Sequence, residues 1–386
     1  MVAGAGLAGL RAVEELRARG YHGAVTLVGA EARPPYDRPP LSKQLMAGTV
    51  DDTTLRDDLG SLGADVRLGE RAEALGDGVL HTDRAEHRFD ALVLATGASP
   101  VALPGTGRQR FLRTLDDALA LRELLVPGLR LAIIGAGWIG AELATAAVAR
   151  GCEVTVVEAG SAPLAAALGA DVGGLTARWY PAAGVELRLG HAVSSVEPGG
   201  LALAGGGWLA ADEIVTAVGV RPEVSWLHGS GVALENGVAV DEHLRTSAPG
   251  IFAAGDCAAF ESRRYGRRLR FEHWDVALRA PSVLATNVLG GNDAYDPVPY
   301  FWSEQFGRMV QYAGYHGTAS RLVLRGDPAG QRWAACWLDG DVLAGLLTVD
   351  TPRDLVQGRR LIESGAHVDA GRLADPGVPV RDTAVG

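Results

Sequence analysis

Short apolar runs that end in glycine punctuate this chain, with polar residues gathered between them. Val2-Ala3 leads into Gly4-Ala-Gly6-Leu-Ala-Gly9, after which Leu10, Val13 and Leu16 recur at helical spacing up to Gly20. Ala24-Val-Thr-Leu-Val28 is then β-branched and apolar throughout, as a buried parallel strand is. The same sequence of elements returns later. Leu131-Ala-Ile-Ile134 predicts a strand, Gly135-Ala-Gly137-Trp-Ile-Gly140 a turn, Ala141 to Arg150 a helix and Glu153-Val-Thr-Val-Val157 a second strand. Phe89–Gly97, Asp212–Gly219 and Ile251–Asp256 each read as a strand running into a glycine turn. Past about residue 300 the texture changes to alternating pieces such as Met309-Val-Gln-Tyr-Ala and Trp333-Ala-Ala-Cys-Trp-Leu, which predict a smaller α+β domain. The Pro- and Gly-rich tail from Asp375 is expected to fray.

Composition narrows the function classes. A net charge of −10 supplies no general basic field for nucleic acid. No apolar run approaches the roughly 20 residues of a membrane helix, and the N-terminus lacks a signal-peptide pattern, so the default reading is a cytoplasmic protein. Cys152, Cys257 and Cys336 are far apart, which encodes neither a zinc site nor a local redox disulfide.

A single GxGxxG is weak, but here two complete copies each open a βαβ unit. The first glycine allows a tight turn, the second lets backbone approach a pyrophosphate, and the third allows close helix–strand packing. The helix N-terminus then faces the phosphates. A carboxylate about 20 residues on should meet ribose hydroxyls. Glu31 lies 22 residues after Gly9, and Glu158 lies 18 after Gly140. Two such folds in one chain imply two dinucleotides, a bound flavin and a mobile nicotinamide. Residues 159–170 contain no Lys or Arg to hold a 2′-phosphate, which favours NADH over NADPH.

Pro35-Tyr36-Asp37-Arg38-Pro39-Pro40-Leu41-Ser42-Lys43, with Ala95-Thr96-Gly97, Ala254-Gly255-Asp256 and Phe301-Trp302-Ser303-Glu304-Gln305, resembles the ferredoxin reductases that serve Rieske-type dioxygenases and bacterial cytochromes P450. The resemblance covers essentially the whole chain. It implies a glutathione-reductase-like α/β fold: an FAD domain (1–113 and 246–300) interrupted by an NAD domain (114–245), then a C-terminal α+β domain (301–386). By position it puts the FAD pyrophosphate on Gly4, Gly6, Ala8 and Gly9, the adenosine ribose on Glu31 and the adenine on backbone at Ala72. Arg38, Arg113, Thr96 and Gly97 would lie on the flavin side. Gly255 and Asp256 would reach the ribityl or phosphate region from the N-terminus of the next helix, and Trp274 would lie against the isoalloxazine. Gly135, Gly137, Ile139, Gly140, Glu158 and Gly219 would hold NADH. Lys43 would sit near flavin N5, paired with Glu142, and these two are the catalytic candidates.

Further expectations concern Trp302, either a nicotinamide-side aromatic or a core residue, His273 as a structural histidine rather than a flavin contact, and Cys257 as a small buried residue rather than a reactive thiol. The basic run Arg263–Arg270 reads as a hairpin turning at Tyr265-Gly266, either a docking patch for an acidic ferredoxin or a solvated charged hairpin. Three features depart from the family pattern. Only three residues precede Gly4, short for a first strand, so the reading expects further N-terminal residues in the native protein. The segment after Glu158 lacks the arginine common in relatives, and Trp138 is bulky for its position. The resemblance implies hydride uptake from NADH by FAD and one-electron delivery to a [2Fe–2S] ferredoxin. An NADH oxidase or rubredoxin reductase, and a redox-responsive signalling protein, are the alternatives on this scaffold. The oligomeric state is open.

Overall fold

The protein is described by a computed structural model covering residues 1–385. The chain forms two compact units, each assembled from separated segments. The first comprises 1–37, 53–99 and 220–299, and the second 38–52, 100–219 and the residues from Tyr300 onward.

In the first unit a five-stranded parallel sheet runs in the order Ile251–Ala253, Leu92–Leu94, Val2–Ala3, Thr26–Gly29, Asp65–Leu68. Its central strand is only two residues long. Val2 and Ala3 are fully buried and pair on both sides, with Leu27 and Val28 and with Val93 and Leu94. The terminal ammonium of Met1 donates to the carbonyl of Ala91 at 2.8 Å. The Leu7–Ala18 helix buries Leu10, Val13 and Leu16, the apolar stripe read from the sequence. Gly20 then adopts φ +78°, a left-handed conformation that costs other residues energy, and the helix stops there. Residues 258–262 and 267–269 form the antiparallel hairpin expected of the basic run, with Ser262 opposite Arg267.

In the second unit a four-stranded parallel sheet runs Glu186–Leu189, Glu153–Glu158, Arg130–Ile134, Glu213–Thr216. The Trp138–Ala149 helix follows its second glycine turn. A five-stranded antiparallel sheet is built from Tyr300–Gln305, Arg308–Gly314, Val342–Val349, Trp333–Asp339 and Arg321–Gly326. One core joins this sheet to the glycine-turn region. Trp179, Val310, Trp333, Leu347 and Val349 are buried together, with Trp138 packed at the edge. Trp138 meets Phe301 edge-on at 4.4 Å, which gives its bulk a packing partner.

The tail corrects the expectation of fraying. Val380–Thr383 is a 3₁₀ turn in which Val380 and Thr383 are fully buried. The guanidinium of Arg325, itself 4% exposed, donates to the carbonyls of Leu373, Asp375, Pro376 and Val378 and pairs with Asp354 at 2.9 Å. Proline and glycine removed helix propensity there, but backbone carbonyls anchored to a buried cation need none.

Candidate nucleotide and electron-transfer sites

The two glycine turns have one geometry. Gly4 has φ +113° and Gly135 φ +102°. A Cβ on Gly4 would come within 2.1 Å of the Ala95 carbonyl oxygen, and one on Gly135 within 2.5 Å of that of Ala217. A Cβ on Gly9 would meet the Gly4 carbonyl oxygen at 1.8 Å, and one on Gly140 that of Gly135 at 2.0 Å. The first and third glycines of each turn are therefore demanded by the protein's own packing. The second is not. Gly6 and Gly137 both sit at φ −78°, a conformation open to any residue, and a Cβ on either meets nothing within 4 Å. Each is the N-cap of a 12-residue helix with no side chain capping the first turn. Each turn thus offers open space lined by backbone N–H groups at the positive end of a helix dipole, which suits a pyrophosphate.

Around the first turn the structure brings together Gly4, Ala8, Thr96 and Gly255 of the residues named for FAD. Gly4 lies against Ala95 and Thr96, and a Cβ on Gly255 would touch that of Ala8 at 2.9 Å. Gly97 and Gly255 take φ +74° and +78°. The Thr96 hydroxyl donates to the Glu223 carbonyl at 2.7 Å. Glu31, beyond the Thr26–Gly29 strand, accepts from the Tyr36 hydroxyl at 2.6 Å, and its carbonyl accepts from Gly69 N, three residues before Ala72. Ala72 opens the Ala72–Gly76 strand opposite Thr82. Asp256 does not stand at a helix N-terminus. The Ala258–Ser262 strand follows it and pairs with Val238–Val240, so sheet pairing overrides the helical look of Cys257-Ala-Ala. Trp274 opens the Trp274–Val288 helix and donates to Asp37 at 2.7 Å. Burial lowers the His273 pKa to about 4, so this side chain is neutral at neutral pH.

Around the second turn, both carboxylate oxygens of Glu158 accept backbone N–H groups, from Ala136 at 2.8 Å and Gly160 at 2.7 Å. The acid pins the glycine loop to the end of its strand. Ile139 and Val218 are each 40% exposed beside Gly140 and Gly219, apolar surface that a nicotinamide nucleotide could cover.

The second unit also holds the catalytic candidates. Lys43 Nζ lies 2.8 Å from Glu142 Oε2 and 3.3 Å from the Pro39 carbonyl oxygen. Lys43 is the single lysine of the chain, and every other one of its 36 basic Lys and Arg side chains is arginine. Arg38 donates to the Arg113 carbonyl, which brings together the two arginines expected on the flavin side. The sequence reading missed the other groups on Glu142. The Ser42 hydroxyl donates to Oε2, and the Ser303 hydroxyl to Oε1 at 2.5 Å. Trp302, next to Ser303, stacks on Tyr300 with centroids 6.1 Å apart.

The basic hairpin is largely paired with acids. Arg263 meets Glu242, Arg268 meets both Glu235 and Glu261, and Arg270 meets Glu272. These pairs engage three of the hairpin's five arginines.

Residues 1–280 match the pyridine nucleotide-disulphide oxidoreductase family, and residues 300–384 match the reductase C-terminal family. The chain belongs to the pyridine nucleotide-disulphide oxidoreductase family. It is an oxidoreductase, and family membership implies FAD and NAD(H) in general terms. The anthranilate 1,2-dioxygenase system ferredoxin–NAD(+) reductase component of Burkholderia cepacia is 36% identical over 401 residues, spanning 99% of this chain and 98% of that relative. The solved structure of Fdr9 is 48% identical with a TM-score of 0.95, covering 100% of this chain and 99% of its own. The covalent putidaredoxin reductase–putidaredoxin complex is 29% identical with a TM-score of 0.95, covering 99% and 97%. The resemblance drawn from Pro35–Lys43 and Phe301–Gln305 holds. The disulphide chemistry in the family's name has no sulfur pair to use here, since Cys152, Cys257 and Cys336 are all free and buried.

Proposed function

We propose that this chain is an FAD-containing NADH:ferredoxin reductase that passes electrons singly to a [2Fe–2S] ferredoxin of a cytochrome P450 or Rieske-type oxygenase system. The observation that carries the reading is the repeated glycine turn, closed by protein at its first and third positions and open at its second. Support for the partner comes from the relatives, whose names join a reductase to a ferredoxin or to putidaredoxin. FAD would be held by 1–113 and 246–300, NADH by 114–245, and 301–386 would form the C-terminal domain. Bound FAD would supply the step that turns a hydride pair into single electrons.

The chain's own groups have separable tasks in this reading. Backbone at Gly4, Gly6, Ala8 and Gly9 receives one pyrophosphate, and backbone at Gly135, Gly137, Ile139 and Gly140 the other. Glu31 and Glu158 accept ribose hydroxyls. Lys43 keeps a positive charge close to the place where negative charge arrives, and Glu142 holds that ammonium still. The enzyme would work in the cytoplasm. No helix among the described residues is long and apolar enough to cross a membrane.

Anaerobic mixing of the purified protein with NADH, then with an oxidised [2Fe–2S] ferredoxin, tests the proposal. Rapid flavin bleaching followed by rapid ferredoxin reduction is the expected result. Bleaching with no transfer to any ferredoxin would overturn the partner. Two substitutions test the nucleotide assignments. Gly6→Ala is expected to keep the melting temperature of the FAD-free protein, because its Cβ meets no protein atom, yet to weaken FAD retention at least tenfold. Full FAD occupancy after dialysis would refute the role of Gly6. Glu158→Ala is expected to raise the KM for NADH about tenfold, in line with a lost charged hydrogen bond of roughly 1.5–3 kcal/mol, and to narrow the preference over NADPH. Equal kinetics with both nucleotides before and after would remove its ribose role.

A further inference from the structure

The strand Tyr300–Gln305 puts Ser303 and Gln305 on one face, and both are fully buried. The inward face of such a strand is normally apolar. A hydroxyl and an amide there are costly unless their hydrogen bonds are made. Their bonds run in one direction. Ser303 Oγ stands 2.5 Å from Glu142 Oε1, a separation between a hydroxyl and a carboxylate oxygen that requires the serine proton to lie between them. Ser303 therefore meets Gln305 as an acceptor, and the Gln305 amide nitrogen donates to it at 3.0 Å. The chain Gln305→Ser303→Glu142 takes up Oε1 and leaves Oε2 for Lys43 and Ser42. Glu142 is 3% exposed, so no water shell could orient it instead.

We propose that Ser303 and Gln305 are positioning residues for the Lys43–Glu142 pair. They fix the carboxylate so that the chain's one lysine ammonium keeps a single seat, which makes the segment from Tyr300 onward part of the electron-transfer site. The functional meaning rests on the reductase reading above. The seating of Lys43 does not, and it can be measured separately.

The single lysine makes the test direct. Acetic anhydride labelling of the purified holoprotein, read by peptide mass spectrometry, reports two amines, Lys43 and the α-amino group, and the second serves as internal reference. Ser303→Ala is expected to raise the relative rate of Lys43 acetylation at least fivefold, and Gln305→Leu about threefold. Glu142→Gln sets the upper limit. Ser303→Thr keeps the hydroxyl but adds a methyl to a fully buried site, so it should melt lower than Ser303→Ala and yet protect Lys43 to within twofold of wild type. Opposite orders for stability and protection support positioning. If Lys43 reactivity instead follows melting temperature across the variants, or stays at the wild-type ratio in Ser303→Ala while rising in Glu142→Gln, the proposal is overturned. Should Ser303→Ala fail to fold, Gln305→Leu against Ser303→Thr decides by the same comparison. Protection lost as expected in a protein that NADH does not reduce would leave the positioning standing and bring down the reductase reading alone.

Discussion

Lys43→Ala is expected to slow reduction of the bound flavin by NADH about 100-fold, the scale on which loss of one preorganised electrostatic partner is felt, with FAD still bound. The residues proposed to grip FAD pyrophosphate, Gly4 to Gly9, belong to a different compact unit from Lys43, so cofactor content and reduction rate should separate. The substitution also strands Glu142, 3% exposed and left with only the two serine hydroxyls. An unpaired buried charge of this kind is costly, at about 3–5 kcal/mol. Lys43→Ala combined with Glu142→Ala removes the stranded charge and should recover stability while leaving reduction slow. Stopped-flow bleaching and the ratio of FAD to protein measure the two effects. A rate within threefold of wild type in either variant would end the assignment of Lys43. Lys43→Arg keeps the charge but replaces a compact ammonium by a planar fork, and it should recover only part of the rate.

Arg325→Ala is expected to cost about 3–5 kcal/mol and to lower the melting temperature by roughly 10 °C, given about 2–4 °C per kcal/mol for a unit of this size. The side chain is buried and serves four tail carbonyls together with Asp354. Its loss leaves Asp354 without its ion pair and releases the backbone of 373–378. Limited proteolysis should then cut near residue 375, where the intact protein resists. Arg325→Lys offers three donors in place of five and should fall between. A melting temperature within 2 °C of wild type, with no new cut, would show that the tail is held by packing alone.

Much of this was legible in the residues. The glycine spacing gave both turns and the parallel strands flanking them, because first and third glycines are forced by backbone clashes that no other residue escapes. The hairpin at 263–270 was legible from Tyr265-Gly266. The clasp on the tail was not, because Arg325 is indistinguishable in sequence from the other arginines of an arginine-rich chain, and only the fold shows it buried. The first arm of the hairpin begins directly after Asp256, where the resemblance implies a helix, and its other neighbour, Val238–Val240, lies earlier in the chain beyond any local pattern. Ser303 carried a usable signal, a polar residue two positions from another polar residue in a strand of otherwise aromatic texture. Its partner Glu142 lies 161 residues away, and no local pattern reaches that far.

The single lysine has a consequence for alkaline solutions. Guanidinium groups stay charged at any pH a folded protein survives, so positive charge can leave this chain at high pH from only two amines. Burial already lowers the pKa of the Met1 ammonium. Burial also pushes the thiols of Cys152, Cys257 and Cys336 upward. The arginine half of the chain's ion pairs is therefore proof against alkali, so conditions that strip the cations from a lysine-rich protein should leave pairs such as Arg110–Glu213 in place.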